Sequence, residues 1–320
     1  MKRPPNIVLI IIDQQRADTI GACGQPHMRT PHLDALCESS VTFRLAFAQA
    51  ATCVASRACL FTGMYPHNTG VYSFDAWAGH RNWVEDLSDA GYHCANIGKM
   101  HLVPLRARGG FHERVVVENP TTNFKQKGEP DDAWGEHLRR HGMERPLDRH
   151  LSDPDWDRRL QAMPWTGPEE MHSDVYVGAE ADSWLRHYDG SEPFFLEVGF
   201  PGPHEPWDPL PRHLAAYDGV ELPVASVDAG DLAGKPPQHA AHRELHAGVS
   251  HESRIDLRGA SQEELDRMRR HYFAKITTVD EQIGRVLTAL RERRWDEDKC
   301  TGLGRTPTAP GRGVRQLAGQ

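Results

Sequence analysis

No stretch of this chain approaches the roughly 18 consecutive apolar residues that a membrane-spanning helix needs. No cluster of Lys and Arg is interleaved with aromatics, and the formal net charge is −8, so neither nucleic acid nor an acidic membrane surface is an expected partner. The six cysteines (Cys23, Cys37, Cys53, Cys59, Cys94 and Cys300) share no metal-knuckle or Cys-x-x-Cys spacing. They read as reduced thiols of a cytoplasmic protein, not as a disulfide framework. Lys2 and Arg3 imitate the start of a signal peptide, but the apolar run behind them stops at Asp13 without a small-residue cleavage site.

What is present suits a large α/β domain, or two smaller ones. The chain has 320 residues, of which 38% are hydrophobic. Asn6-Ile7-Val8-Leu9-Ile10-Ile11-Ile12 is almost continuously apolar and β-branched, the pattern of a central parallel strand buried on both faces. It ends in Asp13-Gln14, and strand carboxyl ends are where open α/β sheets keep their sites. Further on, the alternating run from Val41 to Ala51 predicts a strand leading to a turn at Cys53 and a short helix stopped by Gly63. Arg57 lies one helical turn from Cys53 on the same face. A nucleophile-sized side chain, a fixed positive charge and the free N–H groups of a helix start therefore converge, which is a site for a tetrahedral oxyanion.

A second constellation follows in Gly91-Tyr92-His93-Cys94-Ala95-Asn96-Ile97-Gly98-Lys99-Met100-His101. In an extended segment Lys99 and His101 would point to one face, the first able to neutralise an anion and the second to hold or take a proton. A third is the strand-like Phe194 to Phe200 ending in Pro201-Gly202-Pro203-His204-Glu205-Pro206, which puts His204 where it could meet Asp13 across a sheet.

The run Cys53-Val54-Ala55-Ser56-Arg57 with Leu60-Phe61-Thr62-Gly63, and the Gly98-Lys99-Met100-His101 run about 40 residues later, resemble the two signatures of the sulfatase family. Thr30-Pro31-His32-Leu33-Asp34-Ala35-Leu36, the Pro203-His204 element and Val279 to Leu287 are similar to further segments of that family. The resemblance implies an alkaline-phosphatase-like α/β fold with a mostly parallel central sheet and helices on both faces. It implies oxidation of Cys53 to formylglycine by a formylglycine-generating enzyme. The hydrate of that aldehyde carries two hydroxyls, one to attack the sulfur of a small sulfate ester and one whose deprotonation expels sulfate. It implies a divalent metal, Ca²⁺ ahead of Mg²⁺ or Mn²⁺, on Asp13, Gln14 and the residue at Cys53, with Arg57, Lys99, His101 and His204 around the sulfate.

The chain departs from the family pattern at Ala55 and Val54, where Pro and a smaller residue are usual, and at Cys94, where Ser or Thr is usual. Gln14 stands where many sulfatases have a second Asp, and an Asp-Gln pair is similar to phosphonate and phosphate ester hydrolases of the same superfamily. Those ester hydrolases are the second reading, and an inactive remnant that binds only anions or a partner is the third.

Residues 102–171 read as a loop-rich surface insertion within a catalytic domain of 1–294, with Trp134, Trp156 and Trp165 as pocket candidates. Residues 295–320 read as an irregular, disordered tail with too few apolar residues for a strand, as if the chain were truncated. On that reading the remaining metal ligands are missing, with Asp296 and Asp298 as weak substitutes. The sheet would then present an open edge, which favours self-association.

Overall fold

The computed structural model describes residues 4–118, 131–146, 160–222, 229–245, 247–248, 255–295 and 299–306. Five parallel strands form one sheet in the order β3-β2-β4-β1-β5. They are β1 (Asn6–Asp13), β2 (His93–Gly98), β3 (Glu113–Val116), β4 (Phe194–Phe200) and β5 (Lys299–Thr306). β1 and β4 run side by side from Ile7 against Phe195 to Ile12 against Phe200. β2 pairs the other edge of β4, from His93 against Phe194 to Gly98 against Gly199. The carboxyl ends of β1, β2 and β4 therefore lie next to one another.

Helices cover both faces, as the unbroken apolar character of β1 and β4 requires. On one face Val8, Ile10, Ile12, Leu196 and Val198 pack against α1 (Pro31–Ser39), α5 (Ala133–Arg140), α6 (Ser173–His187) and the 31-residue α9 (Gln262–Glu292). The other face, with Ile11, Cys94 and Phe195, receives α2 (Cys53–Thr62) and α4 (Trp83–Asp89). Shorter helices α3 (Pro66–Thr69), α7 (Pro211–Ala215) and α8 (Pro237–Leu245) lie in the connections.

Several boundaries have a visible chemical cause. Pro31 opens α1, and the Asp280 carboxylate of α9 accepts the His32 and Leu33 N–H groups at 3.2 and 2.8 Å, docking the two helices together. Asn82 with Glu85, and Ser261 with Glu264, form capping boxes at the starts of α4 and α9. Gly63 ends α2 in a left-handed conformation.

Three sequence expectations are corrected. The run from Val41 to Ala51 is an irregular loop, with Val41, Phe43, Leu45 and Phe47 exposed by 80, 80, 65 and 70%. Alternation fits a strand, but no described strand lies alongside to supply the ladder bonds. The insertion is no mere surface loop: it supplies β3 and α5, and Phe111, Val117, Trp134 and Leu138 are core residues. Lys299–Thr306, expected to be irregular, pairs in parallel with the whole of β1, up to Asp13 against Thr306, so β1 is interior and β5 takes the edge. Backbone hydrogen bonds to a preformed neighbour compensate for weak strand propensity.

Close approach at the ends of β2 and β4 depends on two glycines. Gly98 has φ +105°, and a Cβ there would lie 2.0 Å from the Gly199 carbonyl oxygen; one on Gly199 would lie 2.1 Å from that of Lys99. Gly98→Ala is expected to lower stability by about 3 kcal/mol or more, combining left-handed strain with overpacking. Urea-unfolding midpoints measure this, and a wild-type midpoint would refute the tight contact.

Candidate active site

Cys53 is the first residue of α2, next to the carboxyl end of β1 and 3% exposed. A ligand atom of Cys53, one of Asp13 and one of His101 all lie within 4.8 Å of each other. Burial pushes the Cys53 thiol up to about 12, with nearby Lys99 opposing and Asp13 adding to the rise. At neutral pH this residue is a thiol and not a thiolate, so as it stands it is a poor nucleophile.

The charges around it come from different elements. Asp13, at the end of β1, is fully buried and salt-bridged to the Lys99 ammonium, with Arg57 Nη2 at 3.8 Å. Burial alone would raise its pKa, but Lys99, Arg57, His204 and His101 hold the carboxyl well below the usual range. Arg57, one turn into α2 and without exposure, donates through Nη1 to the Lys99 carbonyl. Its Nε and Nη2 have no hydrogen-bond acceptor among the described residues. Buried guanidinium donors left in this state are poised for an oxyanion.

His101 Nε2 lies 3.0 Å from Glu118 Oε2, while the His101 backbone N–H donates to Glu118 Oε1 at 3.1 Å. Burial, assisted by Lys99, drives the imidazole well below its ordinary pKa, so at neutral pH the ring is a neutral base. His204 follows the end of β4, its Nδ1 2.8 Å from the Glu205 carbonyl, and is near enough to act electrostatically on both Asp13 and His101. Gln14 has φ +60°, with its carbonyl accepting the Tyr272 hydroxyl at 2.8 Å. Its buried side-chain oxygen has no hydrogen-bond donor among the described residues.

A divalent cation would meet a carboxylate oxygen of Asp13 here, with ligand atoms of Cys53 and His101 within 4.8 Å of it, and the buried Gln14 amide oxygen, next along the chain, has no donor among the described residues. Asp296 and Asp298, the weak substitutes, lie outside the described residues.

The structure thus gathers Asp13, Gln14, Cys53, Arg57, Lys99, His101 and His204 at one end of the sheet, by a partly different route from the one expected. β2 stops at Gly98, and His101 has φ +55°, so Lys99 and His101 come together through a left-handed bend and not along an extended segment. Trp134 and Trp165 are core residues whose indole N–H groups donate to the Met171 and Pro168 carbonyls at 2.9 and 2.8 Å, not pocket residues. Trp156 lies outside the described residues.

Two acids were missed. Glu197, in the middle of β4, has Oε1 3.8 Å from Arg57 Nη1, while its Oε2 accepts from Asn96, which itself takes a bond from Arg114. Burial pushes Glu197 up to about 7 against the pull of Arg57. A lone Glu inside an apolar strand was the available signal. Glu118 gave none: it sits 17 residues beyond His101 in the insertion, and the fold alone brings it back.

Parallel strands, helices on both faces and an oxyanion-type site at the strand carboxyl ends define an alkaline-phosphatase-like α/β protein. The chain superposes on the phosphonate monoester hydrolase of Agrobacterium radiobacter with TM-score 0.72 and 22% identity, covering 94% of this chain and 62% of that one. A likeness at that identity speaks for the fold. The sequence profile of the family described as Sulfatase matches residues 5–298, and the chain belongs to that family. It is 31% identical to an arylsulfatase of Clostridium perfringens (strain 13 / Type A), over 90% of this chain and 60% of the relative. It is 27% identical to the multifunctional alkaline phosphatase superfamily protein PehA of Trinickia caryophylli, over 91% of this chain and 61% of that protein. The chain therefore spans about three fifths of the length of these curated relatives.

Glu197 makes stability pH-dependent in a defined direction. Its folded-state pKa, about 7, lies above the ordinary 4.5, so its contribution is fully present below pH 4.5 and is lost as pH rises through 7. Glu197→Gln is expected to gain stability relative to wild type between pH 5 and 8. Urea midpoints at the two pH values measure the gain, and a constant difference would show that Glu197 does not titrate there.

Proposed function

We propose that this chain carries the hydrolytic centre of a sulfate-ester hydrolase, with Cys53 converted to formylglycine and a divalent cation, Ca²⁺ ahead of Mg²⁺ or Mn²⁺, held by Asp13, Gln14 and residue 53. The observation that carries this reading is the pair of buried Arg57 donors without acceptors among the described residues, beside Cys53, Lys99 and His101. Formylglycine would supply two hydroxyls at position 53, and the cation would supply positive charge to the ester oxygens. Arg57 and Lys99 bind and neutralise the sulfate, the neutral His101 ring takes a hydroxyl proton, and His204 serves the oxygen of the departing alcohol. The thiol's raised pKa supports the need for conversion.

A formylglycine-generating enzyme as maturation partner and a cytoplasmic location belong to the same proposal; the unbridged thiols Cys37, Cys59 and Cys94 support the location. Association of two copies is also part of it, supported by the exposed Val41, Phe43, Leu45 and Phe47. Sedimentation at micromolar concentration should show dimers or larger species, and a monomer throughout would remove that element. The second reading, cleavage of phosphonate or phosphate esters, is supported by Gln14 next to Asp13.

The test is mass spectrometry of the peptide containing Cys53, from protein made in its own host, together with assays on aryl sulfate and aryl phosphonate with and without added Ca²⁺. The expected result is a mass loss of about 18 Da and metal-dependent release of phenol from the sulfate. Preference for the phosphonate would select the second reading. An intact thiol and no turnover would leave the anion-binding remnant.

A further inference from the structure

Behind the loop that carries His204 lies a buried polar cluster that none of the roles above uses. Lys275, in α9, is fully buried, and its ammonium donates to the Pro206 carbonyl at 2.8 Å and to Asp208 Oδ1 at 2.5 Å. His172, the N-cap of α6, accepts the Asp174 N–H on Nδ1 at 3.2 Å. That leaves the ring hydrogen on Nε2, which lies 3.1 Å from the Asp208 carbonyl and donates to it. The Asp174 carboxylate accepts the Gly202 N–H at 2.8 Å. A Cβ on Gly202 would lie 2.5 Å from Asp174 Oδ2 and 2.9 Å from Lys275 Cε, so the loop backbone rests directly on these side chains.

Residues 202, 206 and 208 are therefore gripped from α6 and α9, and His204 lies between them. For stability alone a fully buried ion pair is a poor choice, since apolar side chains of similar size often serve as well or better. What a charged pair adds is direction: short, oriented bonds to backbone groups on both sides of one residue.

We propose that Lys275 is a positioning residue for the hydrolytic centre, acting with Asp208 and Asp174 to fix the 201–208 loop so that the His204 ring is held beside Asp13 and His101. This rests on the sulfate-ester reading, in which His204 serves the departing group.

The test is the double variant Lys275→Met/Asp208→Asn, which removes both charges and avoids the unpaired buried carboxylate that Lys275→Met alone would leave. At equal aldehyde content, kcat for aryl sulfate is expected to fall roughly 10- to 100-fold with KM within about twofold, as a displaced catalytic group would cause. In a His204→Ala background the same pair of changes is expected to cost nothing further. An unchanged kcat in the folded double variant, or a full additional loss without His204, would overturn the proposal. If wild type hydrolyses neither ester, the sulfate-ester reading fails separately, and the ¹⁵N-labelled histidine spectrum still decides. The His204 ring signals should shift or broaden in the double variant while those of His101 hold, and unchanged His204 signals would overturn the positioning role.

Discussion

The buried carboxylate of Asp13 is the charge around which the site is arranged. A carboxylate taken fully out of water at the end of a central strand is tolerable only against cations, and here the two closest come from separate elements, Lys99 after β2 and Arg57 in α2. Their charges exceed what Asp13 alone offsets. Glu197 lies against Arg57 on the far side, but burial lifts its pKa to about 7, and Glu118 is raised by the same cause. Burial thus opposes ionisation at two of the three nearby carboxyl groups, while Asp13 stays charged against Lys99 and Arg57.

The sheet makes that arrangement possible. Because β1, β2 and β4 are parallel and adjacent, residues that follow their carboxyl ends meet although they lie up to 191 positions apart, from Asp13 to His204. The alternation along each strand then assigns faces. Phe194, Leu196 and Val198 go to the core beneath α6 and α9, and Phe195 goes to the face of α2. Glu197 follows Phe195 by two positions and so reaches Arg57. Closeness of β2 and β4 at Gly98 and Gly199 lets the Lys99 N–H donate to Gly199 at 2.7 Å, turning the Lys99 side chain toward Asp13.

Sequence reasoning reached the elements whose patterns are local. β1 and β4 are unbroken apolar runs, and α2 starts at Cys53 and is stopped by Gly63 as the local pattern indicates. It also reached the residues of the two signatures and His204, because each lies at a strand end or a helix start that the local pattern marks. The family membership was legible for the same reason.

What the sequence by itself determined is therefore the set of strands and helices with strong periodicity, and the residue types available at their ends. The tertiary structure alone decided the rest, since each remaining feature depends on a neighbour distant in the chain. Val41 to Ala51 has a strand's alternation but lacks a described partner strand, while Lys299–Thr306 has little strand character and acquires a partner in β1. Lys99 and His101 converge because the backbone bends where β2 meets β4. Glu118, Glu197 and Lys275 find their partners 17, 140 and 67 positions away, in His101, Arg57 and Asp208. A buried charge is settled by what faces it across the core, and the order of residues along the chain carries no record of that.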